Sequence, residues 1–332
     1  NLSTASRIAK ESGLKGIVLD TETYGSPQNL NLLFYCQQFT NKVFKKGALT
    51  AYIRIENVND KNSIDDLFPK SGDDIYWKDN GDMANGIKLT KASFNIYKDN
   101  KGKFYYPLLD PKYKKEVMEV IEDVEKRGSQ IISTINKEFP DAEIMLTCGP
   151  SYVMDMLNTI NGLSGRNNYL RTVYGLLIPF SKGMLNAIAS TKLKLIDGQE
   201  QFYYHKTPEQ FEKSRLNFYK TSEYFTGKTK ENYVNLMDAA IGLYPRPITH
   251  NSGKNSRLFN ESEIINSFKY AAKNQSIKYI WVYEEIESFW FLESYKSRYF
   301  SKGEIMSKIS NTAFDRHIKN INTGLNYNNF KR

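Results

Sequence analysis

The sequence predicts an α/β fold, a (β/α)8 barrel of the TIM type. Three observations predict it: short apolar runs recur along the chain, amphipathic helical stretches separate them, and several of the runs end in acidic residues. Strands that alternate with helices pair in parallel, because each helix returns the chain to the end at which the preceding strand began. Beyond residue 140 the repeat is about 40 to 50 residues, which suits a barrel with decorated loops. Five strands are legible where a closed barrel has eight. The chain opens on a helix, and with Asn1 in place of Met. Either the other three strands lie hidden in irregular sequence or they lie upstream of Asn1 with a leader; the abrupt start favours the second, which makes the first legible strand the fourth of the barrel. The whole of 1–332 then reads as a single catalytic barrel domain, with 30–110 as a loop and hairpin excursion. A doubly wound open sheet is the alternative. No G-x-G-x-x-G or phosphate-binding loop follows any strand, so nucleotide cofactors have no support and no cofactor is expected.

Bulk composition narrows the function classes. With 332 residues and 40% hydrophobic content the chain can build a full core, and no apolar run is long enough to span a bilayer. Lys and Arg outnumber Asp and Glu by 46 to 37, a net charge of +9 that favours anionic partners. The basic residues are dispersed, with no run of five or more, so a stripe or tail for nucleic acid is not evident. Cys36 and Cys148 are far apart and neither has metal-ligand spacing.

The elements follow in order. Ser3 to Glu11 reads as a helix stopped at Gly13, and Gly16-Ile-Val-Leu-Asp-Thr-Glu-Thr-Tyr24 as the first strand and its end. In a strand, side chains at i and i+2 share a face, so Val18, Asp20 and Glu22 point the same way. A Gly-Ser-Pro turn follows, then an irregular stretch with weak alternation at 48–55 and an acidic, glycine-rich part around 65–86. Two aromatic runs around a polar turn at 93–106 signal a hairpin. The apolar spacing from Val117 to Ile135 predicts a long amphipathic helix within 111–139. Glu143 to Gly149 is the second strand, 168–189 a helical region, and Lys192 to Gly198 the third strand. Thr207-Pro-Glu-Gln210 opens a helix with an N-cap, a proline at the first helical position and a capping-box glutamine. Leu236 to Tyr244 is the fourth strand, Asn260 caps a helix to Lys273, Tyr279 to Glu285 is the fifth strand, and a last helix runs over 302–318.

Acids recur at the strand ends. The first ends in Asp20 and Glu22, the third in Asp197-Gly-Gln-Glu200 followed by Phe202-Tyr-Tyr-His205, and the fifth in Glu284-Glu285 with Trp290 beyond. The fourth ends Tyr244-Pro-Arg246. In a barrel such termini converge on one face. Converging carboxylates push one another's pKa values apart, so one can stay protonated as an acid while another stays charged. Aromatic rings on the same loops offer flat apolar faces for sugar rings. This is the equipment of glycoside hydrolysis, which needs two carboxyls flanking the bond. Metal chemistry fits less well, because His205, His250 and His317 show no metal-binding spacing. A serine nucleophile lacks its G-x-S-x-G elbow.

The first strand end resembles the fourth barrel strand of family 18 chitinases, which ends D-x-D-x-E; Asp20 and Glu22 match its last two acids, and Val18 stands at the earlier one. The resemblance implies a general acid at Glu22 with Asp20 beside it, and Val18 departs from the acetamido-assisted pattern. Tyr174-Gly-Leu-Leu-Ile-Pro-Phe-Ser-Lys-Gly-Met-Leu185, Leu195-Ile-Asp-Gly-Gln-Glu200 and Trp281-Val-Tyr-Glu-Glu285 resemble a group of secreted bacterial glycoside-hydrolase-like barrels. That similarity implies a polysaccharide-acting enzyme that is secreted, periplasmic or at the cell surface.

The sequence therefore points to a glycoside hydrolase that cleaves an anionic polysaccharide, sulfated or uronic. Glu22 is the expected proton donor, Asp20 its neighbour, and Glu285 or Asp197 the partner carboxylate. Tyr24, Tyr204, His205, Arg246 and Trp290 are the expected substrate contacts, with no metal. The rival is a non-catalytic carbohydrate-binding barrel.

Overall fold

The computed structural model describes residues 1–21, 49–57, 63–80, 83–93, 96–159, 169–172, 174–244, 259–273 and 277–283. In chain order the first half holds α1 (Leu2–Glu11), β1 (Gly16–Leu19), β2 (Leu49–Arg54), β3 (Ile75–Trp77), β4 (Met83–Ala84), β5 (Ile87–Lys88), β6 (Thr90–Ser93), β7 (Ile96–Lys98), β8 (Phe104–Leu109) and α2 (Lys114–Glu138). The second half holds β9 (Glu143–Leu146), α3 (Pro150–Thr159), α4 (Leu177–Ile188), β10 (Lys194–Asp197), α5 (Pro208–Lys220), α6 (Gly227–Leu236), β11 (Met237–Leu243), α7 (Glu261–Lys273) and β12 (Tyr279–Val282). The helix expected over 302–318 lies outside the described residues. The chain divides into two compact units, 1–197 with 217–237 and 198–216 with 238–332.

The expected closed (β/α)8 barrel is corrected by the strands themselves. Among the described residues five strands run parallel: β1, β9 and β10 pair in the first unit, and β11 and β12 in the second. No closed ring of eight strands is formed among the described residues. The segment set aside as an excursion builds an antiparallel sheet instead, in the order β3-β2-β8-β7-β6, with β4 and β5 as a separate hairpin. Within it β6, β7 and β8 are linked by connections too short for a crossover helix, so those neighbours can pair only antiparallel. The hairpin expected at 93–106 forms between β7 and β8, where Tyr97 faces Tyr105. Asp99 closes its turn, accepting at Oδ1 from the N–H groups of Lys101 (2.9 Å) and Lys103 (2.8 Å) and at Oδ2 from the Tyr105 hydroxyl (2.9 Å). Burial pushes the Asp99 carboxyl up, but the Lys103, Tyr105 and Lys101 donors outweigh it and leave its pKa below the usual value. The sheet is buried on both faces, by Ala51, Ile53, Tyr106 and Leu108 on one and Tyr52, Leu89 and Tyr105 on the other.

The parallel strands of the first unit carry their helices on the pattern the sequence predicts. In α2, Val117, Val120, Val124, Ile131, Ile132 and Ile135 form the buried stripe. This helix packs on α4 through two glycines. A Cβ on Gly183 would overlap the Glu125 carbonyl, and one on Gly128 the Phe180 carbonyl. The Ser129 hydroxyl donates to the Gly183 carbonyl at 2.9 Å across the crossing. Glycine in a helix interior costs about 1 kcal/mol against alanine, so the close approach explains both. On the other side of α4, the Asn232 amide of α6 donates to the Leu185 carbonyl at 3.2 Å.

In the second unit Ile241 and Leu243 of β11 meet Ile264, Phe268 and Ala271 of α7, with Phe202, Phe211 and Phe259 filling the core and Ile280 and Val282 of β12 packed against it. Both expected helix starts are capped. Thr207 and Gln210 exchange side-chain-to-backbone bonds of 3.1 and 3.4 Å, and Asn260 and Glu263 do so at 2.8 and 2.9 Å. No helix among the described residues is long and apolar enough to cross a membrane.

The α2–α4 crossing gives a direct test. Gly183→Ala should lose about 1–3 kcal/mol of stability in denaturant unfolding, since overpacking outweighs the gain in helix propensity.

Candidate functional site

The register of the first unit's ladder decides which way its strand-end acids face. Leu19, Leu146 and Asp197 stand abreast on β1, β9 and β10. Residues abreast in a parallel sheet share a face, and the next residue along takes the other. Leu19, Leu146 and Asp197 are all buried, whereas Asp20 and Val18 are exposed, Val18 to 60%. Asp20 and Asp197, both expected in the catalytic group, thus project from opposite faces of the same ladder.

Asp197 is fully buried, and its Oδ2 accepts from the Ser151 N–H at 2.9 Å, in the first turn of α3. A carboxylate there meets unpaired N–H groups and the positive end of the helix dipole. A Cβ on Gly149 would overlap that carboxyl, so glycine is what lets strand end, helix start and acid come together. The charge also acts on Tyr233, whose phenol is held well above its ordinary pKa, first by burial and then by Asp197.

Asp20 lies at the exposed end of β1 beside a hydroxyl network. The backbone ladder reaches Thr147, whose N–H donates to the Leu19 carbonyl at 3.1 Å. Beyond it the buried Thr21 hydroxyl accepts from the Cys148 N–H (3.0 Å) and donates to the Cys148 carbonyl (2.6 Å). The Thr21 N–H donates to the Thr147 hydroxyl at 3.0 Å, and Thr147 Oγ1 lies 3.5 Å from Asp20 Oδ1.

In the second unit the carboxyl ends of β11 and β12 carry aromatic rings on the face turned away from α7. Gly242 stands abreast of Trp281, and a Cβ on it would strike the indole. Trp281 Nε1 donates to the Gly198 carbonyl at 2.7 Å. Tyr203 stacks on Tyr283 at 5.3 Å and 16°, and meets Trp281 (5.4 Å) and Tyr244 (5.9 Å) edge to face. Tyr283 is 36% exposed while Tyr203 and Tyr244 are buried. The loop that delivers Tyr203 passes through Gln199, a buried non-glycine residue in the left-handed region (φ 51°, ψ 55°). Such a conformation costs roughly 1–2 kcal/mol and persists where the surroundings enforce it.

Tyr204, an expected substrate contact, is half-buried and touches Tyr203 and Tyr244. His205 faces the core. Its ring contacts Phe202 (4.9 Å) and Phe211 (5.6 Å), its Nε2 is 2.8 Å from the Ser214 hydroxyl, and its carbonyl accepts from the Ser267 hydroxyl at 2.9 Å. Burial, then the Lys213 charge, pulls its pKa down to about 4, so the imidazole is neutral at pH 7. Glu22, Tyr24, Arg246, Glu284, Glu285 and Trp290 lie outside the described residues. Among the described residues no group of three or more His, Cys, Asp and Glu side chains could hold a metal ion.

Sequence reading missed Thr147, Gly149 and Ser151 as neighbours of the acids, because nothing in their local pattern announces a contact some 50 to 130 residues away in the chain. The alternation of Tyr279, Trp281 and Tyr283 was a usable signal for the aromatic face. No family model, curated protein or solved structure matches the chain.

Two outcomes follow from this geometry. Asp197→Ala should cost about 1–3 kcal/mol in equilibrium unfolding, by leaving the Ser151 N–H buried without its acceptor. The depressed His205 pKa means that the unfolded chain takes up a proton first as pH falls. Stability should therefore decline from about pH 6.5 down to about pH 4 and level off below. Replacing the ring by His205→Phe should flatten that limb of a stability-versus-pH curve.

Proposed function

We propose that this chain is a glycoside hydrolase acting on an anionic polysaccharide, sulfated or uronic. The observation that carries the reading is the ring group at the carboxyl ends of β11 and β12: Tyr203, Tyr244, Trp281 and the part-exposed Tyr283. All four rings are in contact within the group, and Trp281 is also tied by its indole N–H to Gly198. A phenol stacked in this way is a preorganised flat face, of the kind on which a sugar ring can lie without ordering a loose side chain first.

Asp20, exposed at the end of β1, supports the acidic half of the reading. In it Glu22 donates the proton to the leaving oxygen and Asp20 stands beside it to orient the acid or a sugar hydroxyl. Hydrolysis needs a second carboxyl, and Glu285 is the residue proposed on sequence grounds. Asp197 is assigned instead to the start of α3, where the Ser151 N–H occupies it. The net charge of +9 supports an acidic substrate, which the protein's field would draw in. An enzyme for such a polymer would act outside the cytoplasm, in the medium, the periplasm or at the cell surface.

The test is turnover and binding on polygalacturonate, chondroitin sulfate and a neutral β-glucan. The unmutated protein should release reducing ends from an acidic polymer. Glu22→Gln should keep binding while losing about 10²–10⁴ in rate, and Tyr283→Ala should weaken binding roughly two- to tenfold. Binding without any turnover by the unmutated protein would replace the hydrolase by its rival, a carbohydrate-binding protein.

A further inference from the structure

We infer that the outer edge of β3 is a docking edge for a second copy of this chain, held closed in the single molecule by the side chain of Asn85. Among the described residues β3 stands at the margin of the antiparallel sheet, beside β2. The Lys78 N–H turns inward to the Thr50 carbonyl at 3.0 Å. Peptide groups alternate in direction along an antiparallel strand, so those of Ile75 and Trp77 turn outward. Such an edge is a template for another strand. Here one residue fills it. The Trp77 N–H donates to Asn85 Oδ1 at 3.1 Å, Asn85 Nδ2 donates to the Ile75 carbonyl at 3.3 Å, and the Asn85 N–H donates to the Trp77 carbonyl at 3.0 Å. The side-chain amide takes the place that a peptide group of a neighbouring strand would occupy. Asn85 reaches it from the two-residue turn of the β4–β5 hairpin, where Asn85 (φ 48°) and Gly86 (φ 73°) both lie in the left-handed region, as a type I′ turn requires. The Gly86 N–H donates to Asp79 Oδ2 at 2.9 Å, which ties the turn to the chain just beyond β3.

The occupant follows from the strand's own sequence, because the edge is its own complement. Asp74-Ile-Tyr-Trp-Lys78, paired antiparallel with itself about Tyr76, sets Ile75 of one copy against Trp77 of the other. Both residues turn their peptide groups outward, which is the arrangement of a hydrogen-bonded antiparallel pair. The same register sets Asp74 opposite Lys78 at both ends, and it places a β-branched side chain beside an aromatic one, both favourable across strands. A slip of two residues in either direction breaks both charge pairs. Asp74 is exposed at the start of the strand, where its Oδ2 accepts from the Tyr76 hydroxyl (3.2 Å) and the Asn57 amide (3.3 Å). Trp77 is 51% exposed. Asp73 falls opposite Asp79 beyond the strand ends, a repulsion that joins the Asn85 plug in keeping the unmutated protein apart.

Asn85→Gly tests both halves, since glycine keeps the left-handed backbone and its N–H while removing the side-chain amide. At a dilution where the variant is monomeric, hydrogen exchange read by mass spectrometry over 74–79 should be about tenfold faster than in the unmutated protein. At higher concentration, sedimentation velocity should show self-association about tenfold tighter than that of the unmutated protein. Adding Lys78→Glu to Asn85→Gly sets two acids opposite at each end and should return association to the unmutated level. Mixing that chain with one carrying Asn85→Gly and Asp74→Lys should restore it, because each end again pairs opposite charges. Exchange unchanged by Asn85→Gly would overturn the plug, as would an unmutated protein that associates as tightly as the variant. Faster exchange with no gain in association would overturn the docking of a second copy, and association indifferent to Lys78→Glu would overturn the register. Should the Asn85→Gly variant fail to fold, Asn85→Asp carries the same expectations: it keeps an acceptor for the Trp77 N–H and sets an oxygen against the Ile75 carbonyl.

Discussion

The lateral register of β1, β9 and β10 is the constraint on which the first unit's candidate site depends. Because side chains alternate with a period of two, a slip of one residue would turn each strand's side chains to the opposite face. The register sets Leu19, Leu146 and Asp197 abreast, and so fixes Asp197 on the buried side and Asp20 on the exposed side. What looks in sequence like two equivalent acids at two equivalent strand ends becomes one buried carboxyl and one exposed one. The burial of Asp197 is tolerable because the start of α3 supplies a donor and a favourable dipole, and because Gly149 leaves room for both.

The same alternation sorts the second unit. Ile241, Leu243, Ile280 and Val282 take the side packed on α7, which leaves Gly242, Tyr244, Trp281 and Tyr283 on the other. Large rings on that side need space, and glycine at 242 supplies it. His205 illustrates how nearness to a strand end can mislead. It follows the loop that carries Tyr203 and Tyr204, yet its ring is spent on Phe202, Phe211 and Ser214. Its depressed pKa is the signature of a packed imidazole, and a depressed pKa by itself does not mark a functional group.

The antiparallel sheet of 49–109 explains why counting strands led toward a barrel. Its strands are three to six residues long, and Tyr and Lys interrupt the apolar pattern. Asp99 organises the β7–β8 turn, and Asn85, in the left-handed region at φ 48°, accepts at its side chain from the Trp77 N–H of β3. Short strands of this kind do not announce themselves by periodicity, because each gains its burial from neighbours in the sheet and little from its own pattern. Treating the region as loop left a barrel as the natural sum of what remained.

The sequence by itself determined the elements whose periodicity is local: the stripe of α2, the caps at Thr207 and Asn260, the β7–β8 hairpin, and the five parallel strands to within a few residues. These depend on residues a few positions apart, so they are written in the order of the chain. Only the tertiary structure decided which strands pair, which face each strand-end acid takes, and that Asp197 meets a helix start while Thr147 lies beside Asp20. Those outcomes are set by register and by hydrogen bonds between residues 46 to 127 positions apart, as between Ser151 and Asp197 or Thr21 and Cys148. No local pattern carries such a contact, because the energy that selects it exists only once the strands lie side by side.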